Sequence, residues 1–440
     1  MRDQGLLTRL ATSVVVLLSG CGGASSRGDG GVDAAAQDAG ADGGCLSLVT
    51  GIVADAGAAS LPVTVEVKWR HPGPRDSAGK PIVLPVSGLV VATVGDSELV
   101  WMQPTTGSVV RRVTVTPFET THSVSADSDD NVYVGGSDVV SFDATGRERW
   151  RVRGSNANFV SEGPVVGQGS IYFGTPGGDV VALQAASGSE LWRSKVDSPG
   201  AGVDNVVLVG GSLIVFAPGV ARYAGLDAST GRELWRSPVV AGGGIDPIVA
   251  GGVIVTNQID YVPASSTFIA EGWALDGCGG RVQRLNLGVA GGFLTLTDVD
   301  LVGTRGEEYT QQHLLRLDTT TGSVREDVAV GQPSGRMDAI ALGADGRLYV
   351  QECRIPAVGE RSSWLHVYTD SPSGFVEESV VDLAPGCTRR DGAALTAAGM
   401  LYLSSGRSIV AVQTKSPGLA PTHWPLHDVD NQASRRVPTQ

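Results

Sequence analysis

The sequence predicts an all-β chain: an eight-bladed β-propeller of four-stranded blades, with an N-terminal strand completing the last blade. Three observations predict it. A motif of about ten residues recurs eight times, at intervals of 40 to 51 residues. Two short runs rich in Val, Ile, Tyr and Phe precede each copy, with Gly, Asp and Ser between them. No helical 3.6-residue apolar period of useful length follows residue 45.

In chain order, residues 1–20 read as a secretory signal. Arg2 and Arg9 are basic, and Leu10 to Leu18 is an apolar core of nine residues, too short to span a bilayer. Leu18-Ser19-Gly20-Cys21 resembles the bacterial lipobox, so Cys21 is expected to be lipidated (palmitate among its acyl chains) and to become the first residue. Gly22 and Gly23 follow it in place of Asp, which by resemblance favours the outer membrane. Residues 21–45 form a tether: of residues 22–44, 14 are Gly or Ala, interspersed with Asp29, Asp33, Asp38 and Asp42. Such a stretch lacks the apolar surface to order itself and reaches roughly 25–30 Å as a coil. Arg27-Gly28-Asp29 spells an adhesion tripeptide, which in this composition reads as chance.

Residues 46–413 hold the repeats. An orphan strand comes first, Val63 to Arg70, ending in Trp69-Arg70. The clearest copies are Ser141-Phe-Asp-Ala-Thr-Gly-Arg-Glu-Arg-Trp150, Ala182-Leu-Gln-Ala-Ala-Ser-Gly-Ser-Glu-Leu-Trp192 and Gly225-Leu-Asp-Ala-Ser-Thr-Gly-Arg-Glu-Leu-Trp235. Marked by their Asp, Gln or Thr, the eight copies fall at 103, 143, 184, 227, 276, 318, 369 and 413. Each of the three clearest copies supplies a strand end, a Gly turn and an outer strand entering through Trp, and the weaker copies follow the same outline. Four-stranded units of this period are propeller blades; a β-solenoid is the alternative, disfavoured because a closed ring buries both terminal faces. The copy at Gln413 has no outer strand of its own, so residues 63–70 are expected to close the ring. Trp69, Trp150, Trp192 and Trp235 are expected to pack between blades. Residues 414–440 form a Pro-rich tail expected to lie over one end of the ring.

Composition bounds the function. The chain has 440 residues, 42% of them hydrophobic, so it can fill a large core. A net charge of -13 argues against a nucleic-acid partner, since phosphate binding needs clustered Lys and Arg. The one long apolar run is N-terminal, which excludes a multi-span membrane protein.

Apolar-Tyr-apolar-Gly followed by Ala-Leu-Asp-Ala-Thr-Gly-x-x-Leu-Trp resembles the quinoprotein (PQQ-type) propeller repeat over about residues 63–413. The resemblance implies the propeller fold. It leaves two functions open: quinoprotein dehydrogenases carry such blades, and so does the propeller lipoprotein of the outer-membrane barrel-assembly machinery. By the same resemblance, the enzymes hold their quinone between a Trp and a disulfide of adjacent cysteines, above calcium. This chain has no adjacent cysteines, and its matching Trp residues recur as packing residues do. No cofactor is therefore expected.

With Cys21 lipidated, Cys45, Cys278, Cys353 and Cys387 remain, in three possible pairings for an exported protein. The preferred one joins Cys353 to Cys387 within the enlarged seventh blade and leaves Cys45 for Cys278. Metal spacings are weak. Asp127-Ser-Asp129-Asp-Asn131 lacks the Gly and Glu of a calcium loop and falls at a strand turn. His423 and His427 flank Pro425, and Ser77-Ala-Gly-Lys80 lacks the companion motifs of a Ser-x-x-Lys nucleophile. Neither a catalytic residue nor a metal site is assigned.

Two segments exceed the repeat: Gln258 to Phe268 in the fifth blade and Arg354 to Arg361 in the seventh. Tyr261, Phe268, Arg354 and Arg361 within them are of the types that anchor interfaces. The expected protein is a monomeric, non-enzymatic envelope lipoprotein, held to the outer membrane by its lipid, periplasmic or surface-facing, with an envelope protein as partner. A surface ligand-binding or adhesion protein would show the same blades.

Overall fold

In the computed structural model the described residues are 45–46, 65–420 and 436–437. Within 65–420 the segments 74–78, 96, 116–123, 154–162, 198–201, 239–242, 245–246, 251, 263–266, 286–289, 296–299, 307–310, 333–334, 357–358, 372–373 and 388–391 are excepted. The expected signal, Cys21, and most of the tether and tail lie outside the described residues.

Every regular element among the described residues is a strand, and the strands form eight sheets, antiparallel but for one short strand near the C-terminus. The third blade shows the plan: Val165–Gly167, Ser170–Gly174, Asp179–Gln184 and Glu190–Lys195, each paired to the next. Its middle strands are buried along nearly their whole length, because both faces of a blade meet a neighbour; the outer strand is largely exposed. That double burial explains why the middle strands read as continuous apolar runs such as Val90–Val94.

Closure follows the predicted route. Glu66–Pro72 pairs antiparallel with Ser408–Gln413 and becomes the outer strand of a sheet otherwise built from Met400–Ser405 and Ala393–Leu395. A core cluster spans this eighth blade and the first, joining Trp69, Tyr402 and Ile409 to Val83, Val94 and Met102. Further clusters join blades one to two, two to three and three to four in the same way. The hydrophobic core is thus a circuit of sheet-on-sheet contacts, and the first strand supplies its final link.

At several joints a tryptophan docks one blade on the next. Trp69 Nε1 donates to the Pro104 carbonyl at 2.9 Å, Trp150 to Ala185 at 3.0 Å and Trp192 to Ala228 at 3.0 Å. Each ring lies flat on a turn glycine of the receiving blade: Gly107, Gly188 and Gly231, all at positive φ. A Cβ on Gly188 would lie 2.8 Å from Trp150 ring carbons. The repeat needs glycine there twice over, for the left-handed turn and for the indole above it.

A bulge in the third-to-outer ladder sets the outer strand's faces. Glu148 opposes Phe142 while Trp150 opposes Ser141, so Arg149 is the extra residue. Residues three apart then share a face, which they cannot in a regular strand. Glu148 accordingly meets Arg151 at 2.8 Å, and Glu190–Arg193 at 2.7 Å and Glu233–Arg236 at 2.5 Å repeat the pair.

Two further features extend the plan. Thr414–Ala420 runs from the eighth blade to the seventh, where Ala420 N donates to Leu342 O at 2.9 Å. Arg436–Val437 adds a short parallel strand to the innermost strand of the fourth blade, Asp204–Val209. Strands longer than six residues occur in the fifth to eighth blades, up to the 12 residues of Gly374–Pro385.

Candidate partner-binding face

The connectivity gives the ring two distinct faces. One carries the turns between first and second strands and between third and outer strands, including Asp127–Asn131 and the repeated Asp-x-Thr turns. The other carries the second-to-third connections and the crossovers to the next blade. Both segments that exceed the repeat are second-to-third connections, so both emerge on this second face.

In the fifth blade the excess forms a ten- and nine-residue hairpin, Val253–Val262 against Thr267–Leu275. Its register places Tyr261 opposite Phe268, the last pairing but one before the connection. In the seventh blade, Arg347–Arg354 and Ser362–Ser371 extend together, with Arg354 opposite Ser362. The Cys353–Cys387 disulfide ties this extension to the crossover that leaves the blade. Gly386 N donates to the Arg361 carbonyl, fixing the two segments side by side.

Arg354 and Arg361 have different settings. Arg354 is held within its blade: its Nε meets Glu352 Oε2 at 2.6 Å, and its guanidinium lies 4.1 Å over the Trp364 ring. Arg361 is exposed and lines a cleft of about 390 Å³ with Glu360, Pro385, Gly386, Cys387 and Arg407. The cleft therefore presents two guanidinium groups, one carboxylate and the edge of a disulfide to solvent. Such a lining suits a polar or acidic protein segment at an interface rim.

Beneath it lies a polar network that single-residue reading missed. Glu352, fully buried, faces His366 Nε2 at 2.8 Å and accepts the Gln332 backbone N–H at 3.0 Å. His366 Nδ1 faces Glu377 at 2.6 Å, and the Tyr368 hydroxyl donates to Glu377 at 3.1 Å. Burial alone would raise the Glu352 pKa, but the contacts from His366, Gln332 N–H and Arg354 hold it below its usual value. Burial, then the charge of Glu377, push the Tyr368 hydroxyl up. The only sequence signal was the polar pair Gln351-Glu352 inside an otherwise apolar strand. The network fixes the base of the extension.

The first face is built for structure. Asp127 caps its own turn, accepting Asn131 N at 2.9 Å and the Tyr133 hydroxyl at 2.7 Å. Buried Asp130 holds the neighbouring turn through Val86 N at 2.8 Å and Ser87 N at 2.7 Å. The calcium-loop resemblance is thereby accounted for as a turn. The second disulfide, Cys45–Cys278, lies on this face and pins residues 45–46 to the third-to-outer turn of the fifth blade. His423, His427 and Ser77 lie outside the described residues.

Among the described residues neither the disulfides nor the docking tryptophans form a quinone clamp. Both disulfides join cysteines far apart in sequence, 233 and 34 residues, and so give no flat vicinal platform. Trp69, Trp150 and Trp192 cover turn glycines and so cannot lie over a cofactor. Among the described residues no group of three or more His, Cys, Asp or Glu is placed to hold a metal ion.

The profile of a family described as outer membrane protein assembly factor BamB matches residues 135–215 and 176–360, together more than half of the chain. No curated protein sequence gives a significant match. Among solved structures, BamB from Moraxella catarrhalis superimposes with a TM-score of 0.56 at 14% identity, covering 80% of this chain and 98% of that one. The computationally designed Ika8 protein superimposes with a TM-score of 0.54 at 13% identity, covering 78% of this chain and 98% of the design. At these identities the structural matches speak for the fold, and the family profile, over sequence, speaks for descent: the chain belongs to the PQQ-type repeat family of the outer membrane protein assembly factor BamB.

Proposed function

We propose that the protein is a non-enzymatic envelope lipoprotein that presents its propeller as a protein-binding scaffold in outer-membrane assembly. Cys21 carries the lipid, residues 22–44 link it to the ring, and the second face receives the partner. The observation that carries this reading is the shared face of the two excursions from the repeat, Val253–Leu275 and Arg347–Ser371, on a ring closed by its own first strand. A closed ring holds variable loops at fixed spacing, which lowers the ordering cost of binding. Membership of a family named for outer-membrane protein assembly supports the choice of partner class. Several acyl chains on Cys21 supply the stable anchoring that one chain lacks. The protein acts as a monomer.

The test is site-specific photo-crosslinking in intact envelopes, with the crosslinker at positions 261, 268 and 361 and, as controls on the first face, at 145 and 229. Adducts with outer-membrane assembly components from the first set alone are expected. Adducts from the control positions only, or none from either set, refute the assignment of the face. Cys21→Ser is expected to move the protein to the soluble periplasmic fraction. A chromophore acquired on incubation with the quinone and calcium, together with dye-linked alcohol oxidation, would establish an enzyme instead.

A further inference from the structure

The fourth tryptophan departs from the docking rule, at a turn that has gained a donor from another segment. In the first three docks the indole N–H reaches the carbonyl one residue after the marker: Pro104, Ala185 and Ala228. The equivalent acceptor for Trp235 is Gly277, one residue after Asp276. The Trp235 ring does lie on the expected turn glycine, Gly279. Yet its Nε1 is buried without a hydrogen-bond partner, a state that buried donors rarely tolerate.

The Gly277 carbonyl meets a different donor, while the Trp235 Nε1 edge lies over Gly225 of its own blade, where a Cβ would stand 2.2 Å from it. Leu46 N donates to that carbonyl at 2.8 Å, and the Leu46 side chain is buried in the same core cluster as Trp235. Residue 277 is glycine, where the other docks have Pro or Ala, because a Cβ would collide with the Leu46 carbonyl oxygen. Cys278 stands where the related turns have Thr145, Ser229 and Thr320, and its N–H still donates to the marker carboxylate, Asp276, at 2.8 Å. The turn has kept its form while its side chains have changed to receive the N-terminal segment. Both Cys45 and Cys278 are exposed, whereas Cys353 of the other disulfide is buried.

We propose that Cys45–Cys278 is a redox latch. Closed, it seats Leu46 on the acceptor that belongs to Trp235. A dithiol reductant attacks one exposed sulfur to give a mixed disulfide, and its second thiol resolves it; the chain gains two thiols and the reductant becomes a disulfide. Residues 45–46 then leave, and the Trp235 indole takes the Gly277 carbonyl as the other three take theirs. Among the described residues the next point of the chain held by the ring is then Val65, buried in the core, 20 residues beyond Cys45. This lengthening of the anchor rests on the lipoprotein reading; the exchange at Gly277 does not.

The experiment follows the indole N–H signals of the ¹⁵N-labelled full chain in detergent, with Trp235 assigned through Trp235→Phe. Titration with dithiothreitol is monitored by thiol alkylation, so that opening of Cys45–Cys278 is counted directly. On opening, the Trp235 signal is expected to move into the range of Trp69, Trp150 and Trp192 and its exchange with deuterium to slow about tenfold. Leu46→Pro removes the competing donor with the disulfide intact and is expected to give the same shift; Leu46→Ala keeps the donor and is expected not to. Cys45→Ser reproduces the open state without reductant. A Trp235 signal unmoved in Leu46→Pro and Cys45→Ser, with the other indoles native-like, overturns the latch. So does a Trp235 signal that matches the other three while the disulfide is closed. Release of Cys21→Ser from the membrane is scored separately, so failure of the anchor reading leaves these outcomes distinct.

Discussion

Gly188→Ala tests the docking rule with a control in the same blade. Gly188 has φ +73° and underlies the Trp150 ring; Gly169 has φ +75° in the first-to-second turn, with nothing within 4 Å of its would-be Cβ. Alanine at either position meets the left-handed penalty, about 1–2 kcal/mol. Only at 188 does the added methyl also stand 2.8 Å from the Trp150 ring carbons, well inside the ~3.5–4 Å of a good carbon contact. Overpacking of that kind costs about 1–3 kcal/mol. Displacing the indole from Ala185 O adds roughly 0.5–1.5 kcal/mol. Gly188→Ala should therefore cost about 3–6 kcal/mol and Gly169→Ala about 1–2 kcal/mol. With an unfolding entropy of ~2.1 cal/mol/K per residue over about 370 residues, these become Tm losses of roughly 4–8 °C and 1–3 °C. Calorimetry on both variants, repeated in a Trp150→Ala background, completes a double-mutant cycle. Without the indole, the cost at 188 should fall to that at 169. Equal losses at the two glycines in the native background, or an undiminished loss at 188 without Trp150, would refute the dock.

Three other outcomes follow from the same structure. Removal of residues 63–70, most of the closing strand, should abolish the cooperative thermal transition and expose the pairing edge of Ser408–Gln413, seen as a loss of β-type circular dichroism and as self-association on gel filtration. Cys353→Ser with Cys387→Ser opens a link spanning 34 residues and should lower stability by roughly 3–4 kcal/mol in urea melts, loosening the base of the candidate face. At Asp318, burial opposes the charge, but bonds from Thr320, Thr321 and Arg325 outweigh it and hold the pKa well below the usual carboxylate range. A pKa depressed on folding contributes stability above the unfolded value near 3.8, and that stability is lost as pH falls through the folded one. Urea midpoints of the native protein should thus drop below about pH 4 more steeply than those of Asp318→Asn, measured from pH 7 to pH 2; parallel curves would show that Asp318 carries no such linkage.

The architecture was legible because a propeller writes its blade into the sequence once per blade, eight times around the ring. The marker acid, the turn glycine and the outer Trp are each demanded by a contact that recurs: a capped turn, a left-handed residue and an indole lying on it. Trp69-Arg70 far from any complete copy was enough to predict the closing strand, since the chain carries the same dock at its start. The site was legible only in part. Interval lengths located the two excursions, and the strand order puts both on one face. Interval lengths could not show that Arg354 is committed to Glu352 and Trp364 while Arg361 is open to solvent, because that division depends on contacts between strands. Nor could they reveal the Glu352–His366–Glu377 network, whose members lie up to 25 residues apart and share no spacing.

The joints that lack a tryptophan relate the scaffold to its candidate face. At the position of the outer Trp, the first, fifth and sixth blades carry Arg111, Gln283 and Glu326, and each still meets the turn glycine of the following blade: Gly146, Gly322 and Gly374. Glu326 also accepts the Phe375 N–H at 2.6 Å and pairs with Arg316, which reaches Asp370 in turn. At the joint of blades seven and eight, Arg70 donates to the carbonyls of Leu383 and Asp382. Blades two to five are therefore joined in succession by indoles over glycine, while the blades that follow are joined through charged and amide groups. An indole dock buries a large apolar surface and is insensitive to salt; a charged joint is directional, part-exposed and weakened by screening. The sector from the fifth to the eighth blade holds both excursions and both disulfides. Within this sector Cys353–Cys387 ties the seventh-blade extension to its crossover, and Cys45–Cys278 sits at the turn that receives Trp235, the last of the indole joints before the charged ones.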